Sequence, residues 1–236
     1  MTERDHRLDE EGLVKPQMLG DQIKDRLLTA IMEGELSPGD RIVETRIAKE
    51  LGISQGPVRE ALRDLATLGL VDLQPHRGAR VRQPTMGEHF EAMRVRVGLE
   101  AMAAREACGK ITEDQAEELR RLIREMEELA EAGDTHGHAE KNTEFHAVIV
   151  RLSGNRTLER VWQMIQPFAQ TYRTMTLRGL DDGGEYVDSH GPILEALLAG
   201  TPDCAEDAIR EHGRLNMELI SQAEARRAGE GVDAPV

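Results

Sequence analysis

Apolar residues recur at helical spacing along most of this chain, and alternating runs interrupt that rhythm around residues 69–82. Ile23, Leu27 and Ile31 fall four apart and predict a first helix over 21–33, closed by Gly34. Ser37-Pro-Gly39 is then a turn. Within 44–63, Ile47, Ala48 and Leu51 mark a short helix, and Gly52 punctuates the turn after it. Ser54 suits the N-cap of the next helix, and Pro57 falls in its first turn, where a missing N–H does no harm. Val58, Leu62 and Leu65 form the buried stripe of that helix, while Arg59 and Arg63 share another face. Two helices across a tight turn, the second presenting arginines near its N-terminus, make a helix-turn-helix. Strand residues on both sides of a Pro-His-Arg-Gly turn in 69–82 then read as a wing.

From Thr85 onward the pattern is helical with clean punctuation. Thr85 with Glu88 and Thr112 with Gln115 form capping boxes, opening helices that close at Gly109 and Gly133. Further helices are predicted over 136–153, 155–177, 189–200 and 201–227. The fold class is therefore mainly α, with a winged helix-turn-helix domain over 16–84 and an all-α antiparallel helical bundle over 85–227. Polar tails occupy 1–15 and 228–236.

Composition changes this picture in one respect. The net charge of −14 argues against nucleic acid until its distribution is counted. Residues 1–85 hold 13 basic and 15 acidic side chains, whereas 86–236 hold 17 and 29. The acidity belongs to the bundle, and the turn-and-wing region is locally basic. No apolar run has the length of a membrane span, and the charged N-terminus has no signal core. Cys108 and Cys204 read as reduced thiols of a cytoplasmic protein.

Asn142 and His146 lie four apart on one predicted helix and project on one face. His190 and His212 fall at the start of the fifth bundle helix and within the sixth. Three imidazoles and an amide oxygen from three helices suit a divalent metal, with positions left open for water or ligand. The same residues also fit ordinary hydrogen-bonded histidines, since no short-range motif ties the four together. His6, His89, His136 and His138 read as solvated, and Met93, Met102, Met126 and Met164 as core filling.

Gly34-Glu-Leu-Ser-Pro-Gly39, Pro57-Val-Arg-Glu-Ala-Leu62 and Gly69-Leu-Val71 occur in order and at the right separations to resemble the GntR family of winged-helix bacterial transcription regulators. The segments RVRVGLEAMAAREA, NTEFHAVIVRLSGNRTLERVW and SHGPILEALLAGTPDCAEDAIREH resemble the ligand-binding (FCD) domain of the FadR-type members. Six helices are more similar to the VanR-like branch than seven would be.

The resemblance implies a homodimeric regulator, more often a repressor, binding an inverted-repeat double-stranded DNA operator under control of a small carboxylate effector. Arg59 matches the arginine that reads guanine. Ser54, Arg63 and Arg46 match phosphate contacts, and His76 and Arg77 would border the minor groove from the wing tip. Gln55 stands where the family usually has arginine, which implies a shifted operator with adenine or a backbone oxygen as its partner. Asn142, His146, His190 and His212 match the metal ligands of many such domains, with zinc or nickel expected. Here Asn142 replaces a frequent aspartate and removes one negative charge. Arg96 matches the Arg-x-x-Leu-Glu segment and would clamp the effector carboxylate, or else pair with Glu100 at i+4. Arg173 is a second candidate for the same pocket.

Two other classes remain open on the residues. A metal-dependent hydrolase would need a general base near the ligands, and no His-Glu-x-x-His is present. Glu144 and Glu211 are close in sequence but offset from the inward face. A purely structural DNA-binding protein leaves the histidines unexplained.

Overall fold

The first unit, which ends at Gln83, is organised by the packing of two helices. The computed structural model describes residues 16–74, 78–177 and 190–230. Helix α1 (Pro16–Glu33) buries Ile23, Leu27 and Ile31 and packs on α3 (Gln55–Thr67), whose Val58, Ala61, Leu62 and Leu65 are buried. It begins five residues before the expected start at 21. Proline's fixed φ and absent N–H suit a first helical turn, so Pro16 opens the helix instead of blocking it.

Helix α2 (Glu44–Leu51) ends at Gly52, which takes a left-handed φ of 66° and returns its N–H to Ala48 and Lys49. Ser54 then occupies the N-cap of α3 in extended conformation, although its hydroxyl makes no capping bond. Strands β1 (Arg41–Ile42), β2 (Val71–Gln74) and β3 (Gly78–Val81) form an antiparallel sheet in the order β1-β3-β2. Gly78 has a φ of 84°, and a Cβ there would lie 2.2 Å from the Ile42 carbonyl oxygen, so the close approach of β3 to β1 depends on glycine. The wing-tip candidates His76 and Arg77 lie outside the described residues.

The second unit begins at Pro84 and is all helix among its described residues. Helix α4 (Met86–Ala107) is its spine, packed by α6 (Thr135–Leu152), α7 (Arg156–Leu177), α8 (His190–Leu198) and α9 (Pro202–Glu230). Helix α5 (Glu113–Glu131) packs on α6 and α8. Both expected capping boxes form, at Thr85 with Glu88 and at Thr112 with Gln115. Ala101, Ala103, Ala104 and Ala107 are fully buried, and their small side chains let neighbouring helices close on α4. The tightest of these approaches is at Gly213, where a Cβ would meet Val97 Cγ2 at 2.5 Å. That contact seats α9 on α4 one residue beyond His212.

The enclosure of α4 and α6 corrects several expectations. His89 and His138 are buried, not solvated, because these helices are covered on more than one face, while His136 is exposed. Met93 and Met126 are core residues, but Met102 and Met164 are 48% and 61% exposed, on outer faces of α4 and α7. Among the described residues no helix is long and apolar enough to cross a membrane. Cys108 and Cys204 are free thiols.

Candidate nucleic-acid interface and histidine site

Arg46, Ser54, Gln55, Arg59 and Arg63 are all exposed, on α2, at the α3 N-cap and along α3. The helix-turn-helix therefore presents every described candidate of the recognition surface to solvent. Arg59 Nε donates to Glu44 Oε2 at 3.1 Å, and Arg46 Nε to Glu50 Oε1 at 2.8 Å. Exposed pairs of this kind are cheap to break, so both arginines are available to an incoming phosphate or base. Ser54 sits where the first amides of α3 point outward, a favourable place for an anion.

In the second unit His146 of α6, His190 of α8 and His212 of α9 are buried, with a ligand atom of each within 4.8 Å of the others. Their ring centroids are separated by 4.5 Å for His190 and His212, and by 5.1 and 5.7 Å for the pairs with His146. Asn142, one turn before His146, is buried with its Oδ1 2.9 Å from His190 Nε2. The four residues chosen from the sequence thus lie together. Arg96 is buried nearby through its ion pair with Glu100, Nε to Oε1 at 3.3 Å. This is the i+4 pairing anticipated as one of its two roles. Arg173 lies on α7, and its side chain is outside those described.

Three participants were not singled out from the sequence as site residues. Glu100 is fully enclosed: its Oε1 accepts from Trp162 Nε1 at 2.9 Å, and its Oε2 stands 3.2 Å from His146 Nδ1. Asn216, one turn beyond His212, donates to the His212 carbonyl at 3.0 Å and lies 3.1 Å from its Nε2. The signal for Glu100 and Asn216 was present as i+4 spacing from a candidate; Trp162 had none.

Burial pushes the Glu100 carboxyl above its ordinary value, against the opposing pull of Arg96 and the Trp162 N–H. Burial also holds His146 well below the usual imidazole value, reinforced by His212, Arg96 and His190. His146 is therefore neutral, the form that ligates a metal. Its Nε2 is buried without a hydrogen-bond partner, an arrangement costly in a protein interior and relieved by an ion. Imidazoles joined by an amide oxygen suit a borderline divalent cation, so the residues present fit a metal. Glu144 and Glu211 instead pair with Lys141 and Arg214 at 3.0 and 2.6 Å on the solvent side. Neither is placed to serve a hydrolytic site as base.

A winged helix-turn-helix with exposed arginines, joined to an all-α unit with a buried histidine cluster, defines a DNA-binding transcriptional regulator. Residues 19–81 match the description "Bacterial regulatory proteins, gntR family", and residues 91–215 match the FCD domain. The chain belongs to the GntR family of bacterial regulators, with an FCD domain behind its DNA-binding unit. It is 39% identical over 217 residues to a probable D-xylose utilization operon transcriptional repressor of Paenarthrobacter nicotinovorans, covering 91% of this chain and 92% of that one. It is 25% identical over 216 residues to the HTH-type transcriptional repressor RspR of Escherichia coli, covering 90% and 93%. E. coli McbR/YncC shares the fold with a TM-score of 0.72 at 24% identity, over 86% of this chain and 97% of that one. The relatives are named as regulators, not as enzymes.

Proposed function

We propose that this regulator is a ligand-responsive repressor in which a divalent metal, zinc or nickel, helps the FCD unit to bind a small carboxylate. The observation that carries the reading is the buried cluster of His146, His190 and His212, with Asn142 against it and an orphaned Nε2 on His146. Those four side chains would hold the ion, and the ion would supply a Lewis-acidic anchor for the effector's carboxylate. Arg96 meets Glu100 through Nε, and its Nη atoms are the ones to engage the ligand. Arg173 is a second contact on α7. The printed role of the P. nicotinovorans relative supports an effector drawn from sugar catabolism, such as a sugar acid.

At the operator, Arg59 reads guanine, Gln55 reads adenine or a backbone oxygen, and Arg46, Ser54 and Arg63 hold phosphates. Ser54 suits that role because its hydroxyl is not engaged in capping. His76 and Arg77 border the minor groove. The protein acts in the cytoplasm as a homodimer on an inverted repeat, and six described FCD helices support the VanR-like branch. Exposed Val95 and Met102 of α4 and Val161 and Met164 of α7, on two helices packed together, supply an apolar face for the second copy.

The test is a thermal-shift screen of zinc-loaded protein against sugar acids and other small carboxylates, followed by operator binding with each hit. An acid that raises the melting temperature and releases DNA, with both effects lost in Arg96→Ala and His190→Ala, is the expected result. If no acid stabilises the loaded protein and a neutral compound does, the carboxylate reading is lost.

A further inference from the structure

We infer that Glu100 is the positioning residue of the histidine site, its Oε2 accepting the Nδ1–H of His146 so that the Nε2 lone pair is left for the ion. The inference rests on the metal reading above and deepens it. Glu100 Oε2 and His146 Nδ1 are both buried, neither makes a hydrogen bond, and they stand 3.2 Å apart. Each is the nearest acceptor or donor open to the other, and a small rotation of the imidazole brings the Nδ1–H onto Oε2, as buried polar atoms require.

The carboxylate cannot turn away from this contact. Its other oxygen accepts from the Trp162 N–H at 2.9 Å and faces Arg96 Nε at 3.3 Å, so α4 and α7 together fix its plane. The two oxygens therefore have unequal partners: Oε1 accepts from Trp162 and pairs with the Arg96 cation, and Oε2 faces the imidazole. A neutral imidazole that donates through Nδ1 carries its lone pair on Nε2. That nitrogen is buried with no hydrogen-bond partner, whereas Nδ1 has the Glu100 carboxylate 3.2 Å away. Carboxylate, imidazole and cation in series are a recurrent way of fixing a ligand's tautomer and orientation.

Glu100→Gln tests this with almost no change of volume. Trp162 donates to the Oε1 position and the Arg96 cation stands beside it, so the amide oxygen stays there and the amide N–H₂ is turned toward His146 Nδ1. An amide N–H in that place forces the proton onto Nε2 and blocks ligation. Zinc affinity, read by competition with a chromophoric chelator, is expected to fall about 10- to 100-fold. Melting followed by circular dichroism reports that the variant is folded. In metal-free protein with isotopically labelled histidine nitrogens, nuclear magnetic resonance is expected to find the His146 proton on Nδ1 in the native chain and on Nε2 in the variant.

A native chain with that proton on Nε2 overturns the inference without recourse to any variant. So does a folded Glu100→Gln protein whose zinc affinity matches the native one. If the native protein binds no zinc, the metal reading fails, while the tautomer of the metal-free chain still decides the role of Glu100.

Discussion

Arg59 and Arg63 stand one turn apart on α3, yet the proposed interface gives them different work. Arg59→Ala should cost about 1–3 kcal/mol at the operator and relax preference at one base pair, as measured by fluorescence anisotropy on single-position operator variants. Arg63→Ala should weaken every sequence alike and lower the salt dependence by about one counterion per subunit. Equal losses on operator and random DNA for both substitutions would remove Arg59 from base reading. Residue identity was enough to nominate these arginines, because a helix-turn-helix exposes one face of its second helix whatever else the chain does. It was not enough at Glu100, where an acid four residues after an arginine looks like a surface ion pair. Only the convergence of α4, α6 and α7 shows that this pair is enclosed and touches His146. His89 and His138 misled for the same reason, since nothing local distinguishes a covered helical face from a wet one.

Among the elements, α9 depends on a missing side chain. Gly213→Ala places a methyl 2.5 Å from Val97 Cγ2 and 3.0 Å from Cγ1, and a β-branched valine has little freedom to yield. The substitution should destabilise the FCD unit by about 1–3 kcal/mol, seen as a lower denaturation midpoint, and the loss should be partly recovered by adding Val97→Ala. An additive double mutant would show that the two helices do not press on each other here. Most element boundaries were readable because caps are local chemistry: Thr85 with Glu88, Thr112 with Gln115, and Gly52 at the end of α2 each act within one turn. The start of α1 was less legible, because Pro16 serves equally as a breaker or as a first helical residue. The contact at Gly213 joins residues more than a hundred positions apart, and no window of sequence contains it.

For the whole molecule, the outer faces of α4 and α7 carry the prediction. Met164→Glu puts a charge on the face proposed for the second copy, at a position already exposed in the single chain. It should leave the helical signal and monomer fold intact while raising the dimer dissociation constant in sedimentation equilibrium. A dimer of unchanged strength would place the interface elsewhere. Operator affinity should fall in parallel, because in the proposed dimer each subunit would hold only one half-site. The two-unit plan was visible from punctuation and charge: the acidic excess lies beyond residue 85. The exposed methionines were not, because methionine at helical spacing reads the same in a core and on an outer face.

The ion pair between Arg59 and Glu44 bears on how such a protein searches a chromosome. A reading arginine held on an internal acid gains nothing by moving to a base edge with poor acceptor geometry, and guanine offers two acceptors in its place. In the proposed interface this weak pair would be a small threshold, easily crossed at guanine and less favourably elsewhere. Under that reading Glu44 would add to fidelity as an internal competitor for the arginine, and the search would be spent on phosphates between favourable steps.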